Sequence, residues 1–246
     1  MAREIFGKYL SKEMKIPMKE LRNMKTIRNK ISLKDIIFPY ISFVTPDFNN
    51  ILKIVSSTDI DASPNQVPVF KHNFNFKELE VDLGLGGIHG CIKKGIYEIV
   101  DPKIIDAKID GCYNSEEYVM IDQDCTSMYP QICIQNGLKP EHLPYSFNTI
   151  YEGLYKERRK YEKKDPRNYI LKIGLNSLYG LSGEQNSFVY DRKLTYSITL
   201  NGQLSLLMYA EALSVSIPSI RFLQMNTEGL TFVIKKSDIP IMRKIS

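Results

Sequence analysis

Two carboxylates spaced two residues apart, Asp122 and Asp124, have the type and spacing to do chemistry. They close the run Glu117-Tyr118-Val119-Met120-Ile121, which reads as a buried strand. Residues two apart in a strand point to the same side of a sheet. Cys125-Thr126-Ser127-Met128-Tyr129-Pro130 follows, then the apolar Gln131-Ile132-Cys133-Ile134, which can start a helix. An acid at the end of a core strand, followed by a tight turn and a helix, can hold a divalent cation and a phosphate together. The carboxylate oxygens suit the cation, and free helix-terminal amides suit the phosphate. A solvated acidic turn is the plainer reading of the same residues.

A second set lies downstream. Lys172, Asn176 and Tyr179 or Gly180 fall at helical spacing on one face. A cation for phosphate, an amide for positioning and an aromatic beside a glycine suit a nucleotide better than a core. Between Lys156 and Lys172 stand eight basic side chains against three acidic ones, a local excess equal to the net +5 of the whole chain. Concentrated in one stretch, that charge points to a local polyanion contact. Upstream, Leu83-Gly84-Leu85-Gly86-Gly87-Ile88-His89-Gly90 could lay backbone amides against a nucleic-acid strand. It lacks the strand-to-helix setting of a dinucleotide fingerprint, because the β-like run Gly95 to Val100 follows it, and a bulged hairpin is the alternative. His89 has no visible ligand partner. Near the C-terminal end, Ile220 to Met225, Asn226-Thr227-Glu228-Gly229 and Leu230 to Ile234 read as strand, turn and strand, with Glu228 at the tip.

The elements that must position these groups read less evenly. Residues 1 to about 80 show no clean period and suggest an adaptor; Phe48 to Val55 could form a short helix. Asp59-Ile60-Asp61 has metal-pair spacing, yet Ser63-Pro64-Asn65 follows and favours a solvated turn. Asn148 is placed to cap a helix over Thr149 to Lys164, and Asp165-Pro166 to start a second one. Ser187 to Ser197 reads as a hairpin around Asp191-Arg192, and Gly202 to Val215 as an amphipathic core helix. The chain has 246 residues, 43% of them hydrophobic, enough for one or two units with a core. The four cysteines have no CxxC spacing and there are three histidines, which argues against a zinc site and for reduced thiols. The first ten residues show no signal-peptide core, and no apolar run approaches a membrane span.

Three stretches in fixed order carry a family resemblance. Asp124-Cys-Thr-Ser-Met-Tyr-Pro resembles motif A of family B DNA polymerases, D-x-x-S-L-Y-P. Lys172-x-x-x-Asn176-Ser177-x-Tyr179-Gly180 is similar to motif B, K-x-x-x-N-S-x-Y-G. Asn226-Thr-Glu-Gly stands in the place of motif C, D-T-D-S, and Gly86-Gly87 resembles the template-contacting Y-x-G-G/A loop. The bacteriophage enzymes are the nearest in flavour, and the resemblance spans about Leu83 to Ile234.

The resemblance implies an α+β fold: a polymerase palm with an antiparallel sheet and packed helices, carrying a two-helix fingers insertion. Its implied organisation is a linker or remnant over 1–80, palm over 81–145, fingers over 146–180 and palm again over 181–246, without exonuclease or thumb. The implied activity is template-directed DNA synthesis on primer-template DNA from deoxynucleoside triphosphates with two Mg²⁺ ions. Asp124 and Glu228 would be catalytic metal ligands, with Asp122 a candidate helper. Ser127, Met128, Tyr129, Lys172, Asn176 and Tyr179 would bind nucleotide, together with Arg158 or Arg159, which the sequence leaves open. Gly86, Gly87, Gly180 and Thr227 would face DNA. A separate chain could supply thumb or exonuclease. No membrane is implied; the expected place is the cytoplasm, a host's for a phage-encoded chain. Motif C departs from the family at Asn226 and Glu228. A weakly active or non-catalytic nucleic-acid-binding fragment, or one piece of a split polymerase, is therefore the alternative. A reverse transcriptase lacks support, since no Y-x-D-D turn is present.

Overall fold

The computed structural model describes residues 2–92 and 117–246, so the Gly95 to Val100 run and Cys112 lie outside the described residues. The chain is α+β and divides into two compact units. The first comprises Met1–Ile36, Asp59–Pro68 and Ser127–Thr199; the second comprises Ile37–Thr58, Val69–Thr126 and Leu200–Ser246. Among the described residues, no helix is long and apolar enough to cross a membrane.

The first unit is mainly helical. It contains α1 (Ala2–Met14), α2 (Met18–Asn23), the short antiparallel ribbon of β1 (Lys30–Ser32) and β2 (Asp59–Asp61), α4 (Met128–Gln135), α5 (Ser146–Arg158) and α6 (Pro166–Gly183). Residues 192–199 begin a long helix, α7 (Arg192–Ser216), whose remainder belongs to the second unit. Phe6 and Leu10 of α1 are buried in one apolar cluster with Phe147, Tyr151, Leu175 and Leu178. The Phe6 and Phe147 rings stack 5.1 Å apart. A full side-chain burial of this kind is worth about 1.5–3 kcal/mol, so residues 1–36 are structural members of this unit rather than a bare adaptor.

Several sequence expectations are corrected here. The acids Asp59 and Asp61 lie in strand β2, not in a turn; Asp59 pairs with Lys30 at 2.5 Å and Asp61 accepts the Ser63 amide at 2.9 Å. These bonds hold both carboxyls below their ordinary range. Asn148 does not cap α5. It is buried in the first turn, donating to the Leu138 carbonyl at 2.7 Å, and the helix ends at Arg158. Asp165 does cap α6, accepting the Arg167 amide at 2.8 Å, with Pro166 at the first position. Residues 187–197 form no hairpin. Asp191 is instead the cap of α7, taking the Lys193 amide at 3.0 Å, and its other oxygen takes the Glu141 amide at 3.0 Å. Burial pushes the Asp191 carboxyl up against the opposing pull of Arg28. Nearby, His142 joins Thr26 and the Phe188 carbonyl at 2.7 and 2.8 Å, and burial lowers its imidazole.

Among the described residues, the second unit holds α3 (Pro46–Ser56), residues 200–216 of α7, α8 (Ile239–Ile245) and a six-stranded antiparallel sheet. The strands are β3 (Lys71–Phe76), β4 (Leu79–Gly84), β5 (His89–Ile92), β6 (Tyr118–Asp124), β7 (Arg221–Asn226) and β8 (Gly229–Lys235), in the order β3-β4-β5-β7-β8-β6. One face is apolar: Leu79, Val81, Leu83, Phe222, Met225, Leu230, Phe232 and Ile234 are all buried. The other face carries Glu80, Asp82, His89, Gln224, Asn226, Asp122 and Asp124 by strand alternation. The expected buried strand before Asp122 is half-buried, and among the described residues β6 pairs with β8 alone, at one end of the strand order. An aromatic chain runs from Phe48 of α3 to Phe76 (4.9 Å) and on to Phe222 (5.0 Å).

Replacing Asp191 by Ala removes a helix cap and takes away the acceptor of the Glu141 amide. Urea unfolding should show a loss of about 2–4 kcal/mol, with Asp191→Asn losing less.

Candidate active site

Asp124 is the last residue of β6 and pairs with Gly229, the first of β8. Its carboxylate lies over that glycine: a Cβ at position 229 would overlap Asp124 Oδ1. One step on, the Cys125 amide donates to the Glu228 carbonyl at 2.8 Å. The tip of the last hairpin therefore sits beside the end of the acidic strand. Asp124 and Glu228 are both exposed there, at adjoining strand ends of the second unit.

The hairpin tip has an unusual backbone. Thr227 has φ +51°, and the Glu228 amide donates to the Asn226 carbonyl at 2.5 Å, closing a γ-type turn around Thr227. Such turns are rare and strained, and a β-branched residue at positive φ costs about 1–3 kcal/mol. The glycine-rich loop between β4 and β5 helps to hold this conformation. The Thr227 amide donates to the Ile88 carbonyl at 2.7 Å, and a Cβ on Gly87 would come within 2.7 Å of Thr227 Oγ1. Only glycine allows that approach. Gly86 has open space around its Cβ direction.

The loop is fixed in turn by Gln203 of α7, which the sequence reading missed. Its side chain is almost fully buried and accepts the Gly84 amide at 3.1 Å. It also donates to the Gly84 and Gly86 carbonyls at 2.8 and 2.9 Å. The available signal was a glutamine set on the apolar stripe that also carries Leu207 and Ala210. A buried amide at such a place needs partners.

Asp122 lies on the same face as Asp124, roughly 6.6 Å back along the strand, and accepts the Thr231 hydroxyl at 2.7 Å. It is thus engaged across the ladder with Thr231. Cys125 sits between the two acids. Partial desolvation of its sulfur, then the charges of Glu228 and Asp124, push its thiol up, which disfavours a thiolate ligand there. Among the described residues, no group of three or more His, Cys, Asp or Glu side chains could hold a metal. Two exposed carboxylates suit a cation that keeps water and substrate phosphate in its shell, as Mg²⁺ does.

In the first unit, Ser127 precedes α4 in the left-handed conformation, φ +55° and ψ +46°. Met128 stands at the helix start with its side chain buried, so its backbone amide is the part of it that faces the turn. Arg158 and Arg159, equal in the sequence, separate here. Arg158 donates from Nη1 to Ser127 Oγ at 3.0 Å and from Nε to Asn168 Oδ1 at 3.2 Å. Arg159 is exposed in the connection that follows α5. Tyr179 is half-buried, its ring 4.9 Å from that of Tyr129, and burial pushes its hydroxyl up. Lys172, Asn176 and Gly180 form an exposed face of α6, and a Cβ on Gly180 would meet nothing within 4 Å.

No family model and no curated protein matches this chain. Among solved structures it is similar to the family B DNA polymerase from the hyperthermophilic archaeon Pyrobaculum calidifontis. The TM-score is 0.38 and the identity 21%, over 53% of this chain and 22% of that one. The chain thus spans less than a quarter of that polymerase's length.

Gly87→Ala should destabilise the chain by about 1–3 kcal/mol through the clash with Thr227. Gly87→Ala combined with Thr227→Gly should recover most of that loss, since it removes the clash and the strained φ together. A double-mutant cycle by urea unfolding measures the coupling.

Proposed function

We propose that this chain carries out template-directed DNA synthesis, transferring a nucleotide from a deoxynucleoside triphosphate to a primer 3′-hydroxyl. The observation that carries the reading is the adjacency of Asp124 and Glu228, residues far apart in sequence but held at neighbouring strand ends by the Cys125–Glu228 backbone bond. The motif resemblance supplies the chemical class, with the palm, fingers and bacteriophage kinship that it implies.

In this reading Asp124 and Glu228 bind divalent cations, with Asp122 supporting Asp124 from behind. Bound Mg²⁺ would neutralise charge on the triphosphate and stabilise the attacking and leaving oxygens. The Thr126, Ser127 and Met128 amides, Arg158, Lys172 and Asn176 bind and orient the triphosphate, since charge-assisted bonds are the strong ones. Ser127 fixes Arg158 at the helix start. Tyr129 lies against the sugar, Tyr179 and Gly180 against the base pair, and Gly86, Gly87 and Thr227 along DNA. Arg159 serves as a more peripheral cation.

A second reading also has an observation in its favour. The hairpin offers one carboxylate, Glu228, because position 226 is a neutral asparagine. The glutamate is longer than an aspartate by about 1.5 Å, and a misplacement of about 1 Å can cost roughly a hundredfold in rate. A weakly active fragment, or one piece of a split polymerase completed by another chain, is consistent with that.

Primer extension with Mg²⁺ and all four deoxynucleoside triphosphates decides between them. Asp124→Ala and Glu228→Gln should each lower extension more than about a hundredfold, while Glu228→Asp should retain it. Salt-sensitive DNA binding without extension by the unaltered chain would establish the second reading.

Gly180 offers an independent check. Because its Cβ direction is empty, Gly180→Ala should raise thermal stability by about 0.5–1 kcal/mol. It should nonetheless depress extension, because the added methyl meets the base pair rather than the protein.

A further inference from the structure

The tip of the α5–α6 helical hairpin, residues 159–165, and the adjoining face of α6 hold features that the proposed chemistry does not use. Tyr169 is 62% exposed and Ile173 50% exposed. They lie four residues apart, one turn along the helix, in line with Asn176. Large apolar side chains left in water on one stripe of a helix mark a binding surface. Around them the cations sort into two groups. Lys156, Lys160 and Arg167 are occupied by Glu152, Glu157 and Asp165 at 2.6, 2.7 and 2.7 Å. Arg159, Lys163, Lys164 and Lys172 are exposed, and none of them takes part in a salt bridge among the described residues.

The scaffold beneath them is firm. Asn168 is buried and donates to the Tyr161 carbonyl at 2.8 Å and the Arg158 carbonyl at 3.3 Å, closing the tip. The Arg167 guanidinium lies 4.2 Å over the Tyr161 ring, and the Tyr161 hydroxyl donates to Glu157 at 2.7 Å. An exposed aromatic on such a base loses little further freedom on stacking.

We propose that this surface binds single-stranded nucleic acid, with Tyr169 and Ile173 as a stacking platform for unpaired bases and Arg159, Lys163 and Lys164 on the phosphates. Charge complementarity selects a polyanion. The exposed ring selects one with bare bases, because duplex DNA presents its phosphates outward and would leave Tyr169 in water. From Tyr169 to Asn176 the helix rises about 10.5 Å, enough for about three bases stacked at roughly 3.4 Å. The inference rests on the polymerase reading and deepens it by adding a hold on the unpaired strand, but, Arg159 apart, it stands on different residues.

The test keeps the two separate. The full chain carrying Asp124→Ala, in EDTA and without nucleotide, is titrated against a fluorescein-labelled oligodeoxythymidine, a duplex of equal length and anionic phospholipid vesicles. We expect binding to the single strand in preference to both. Tyr169→Ala should weaken it about tenfold, in line with base–aromatic stacking, while Tyr169→Phe should not. Lys163→Gln together with Lys164→Gln should flatten the salt dependence by about 1.4 units of slope. Urea unfolding of each variant should match the parent, since these side chains are exposed. Unchanged affinity in Tyr169→Ala would overturn the proposal, as would a preference for the vesicles or the duplex. Failure of primer extension would leave this result standing, because no catalysis enters it.

Discussion

The backbone bond from the Cys125 amide to the Glu228 carbonyl, closing the β6–β8 ladder, is the constraint on which the candidate site depends. It extends an unbroken register from Tyr118↔Lys235 to Asp124↔Gly229. Strand side chains alternate, so a slip of one residue would send Asp124 to the apolar face and bring Gln123 out beside Glu228. The irregularity in the neighbouring β7–β8 pair falls at Phe222/Gln224, at the far end from the turn, so it leaves the acidic end in register. Apolar packing of Leu230, Phe232 and Ile234 specifies the ladder, and the ladder places the acids.

The strained turn extends that constraint sideways. Thr227 holds a positive φ that an isolated hairpin would not favour. The Ile88 carbonyl, the bare Cα of Gly87 and the buried Gln203 amide over-determine it. Glu228, at the end of this chain of contacts, inherits its position from a helix and a loop that are distant in sequence.

Legibility in the sequence followed how local each signal was. The β7–β8 hairpin announced itself by apolar strands around a short polar turn, and α6 by Asp165-Pro166, because caps and turns are encoded within a few residues. The helix start at Asp191 was hidden. Its carboxylate reads as a turn residue until the Lys193 and Glu141 amides are seen to converge on it. The N-terminal helices lacked a clean period, yet Phe6 and Leu10 are buried, because tertiary packing selects two side chains and ignores the rest. Pairing of β5 with β7, across more than a hundred residues, has no local signature at all. Around the candidate site, the strand ending at Asp124 and the turn carrying Glu228 were readable from local pattern. That Arg158 and not Arg159 reaches Ser127 was not readable, since the two lie side by side in the sequence.

Gly229 has one consequence for how this sequence can drift. The Asp124 carboxylate rests in the volume that any larger residue at 229 would claim. The rotamer of the acid and the identity of its cross-strand neighbour therefore form a single inherited character. Descendants that alter one must re-aim the other in the same step, which narrows the mutational routes open to this corner of the protein.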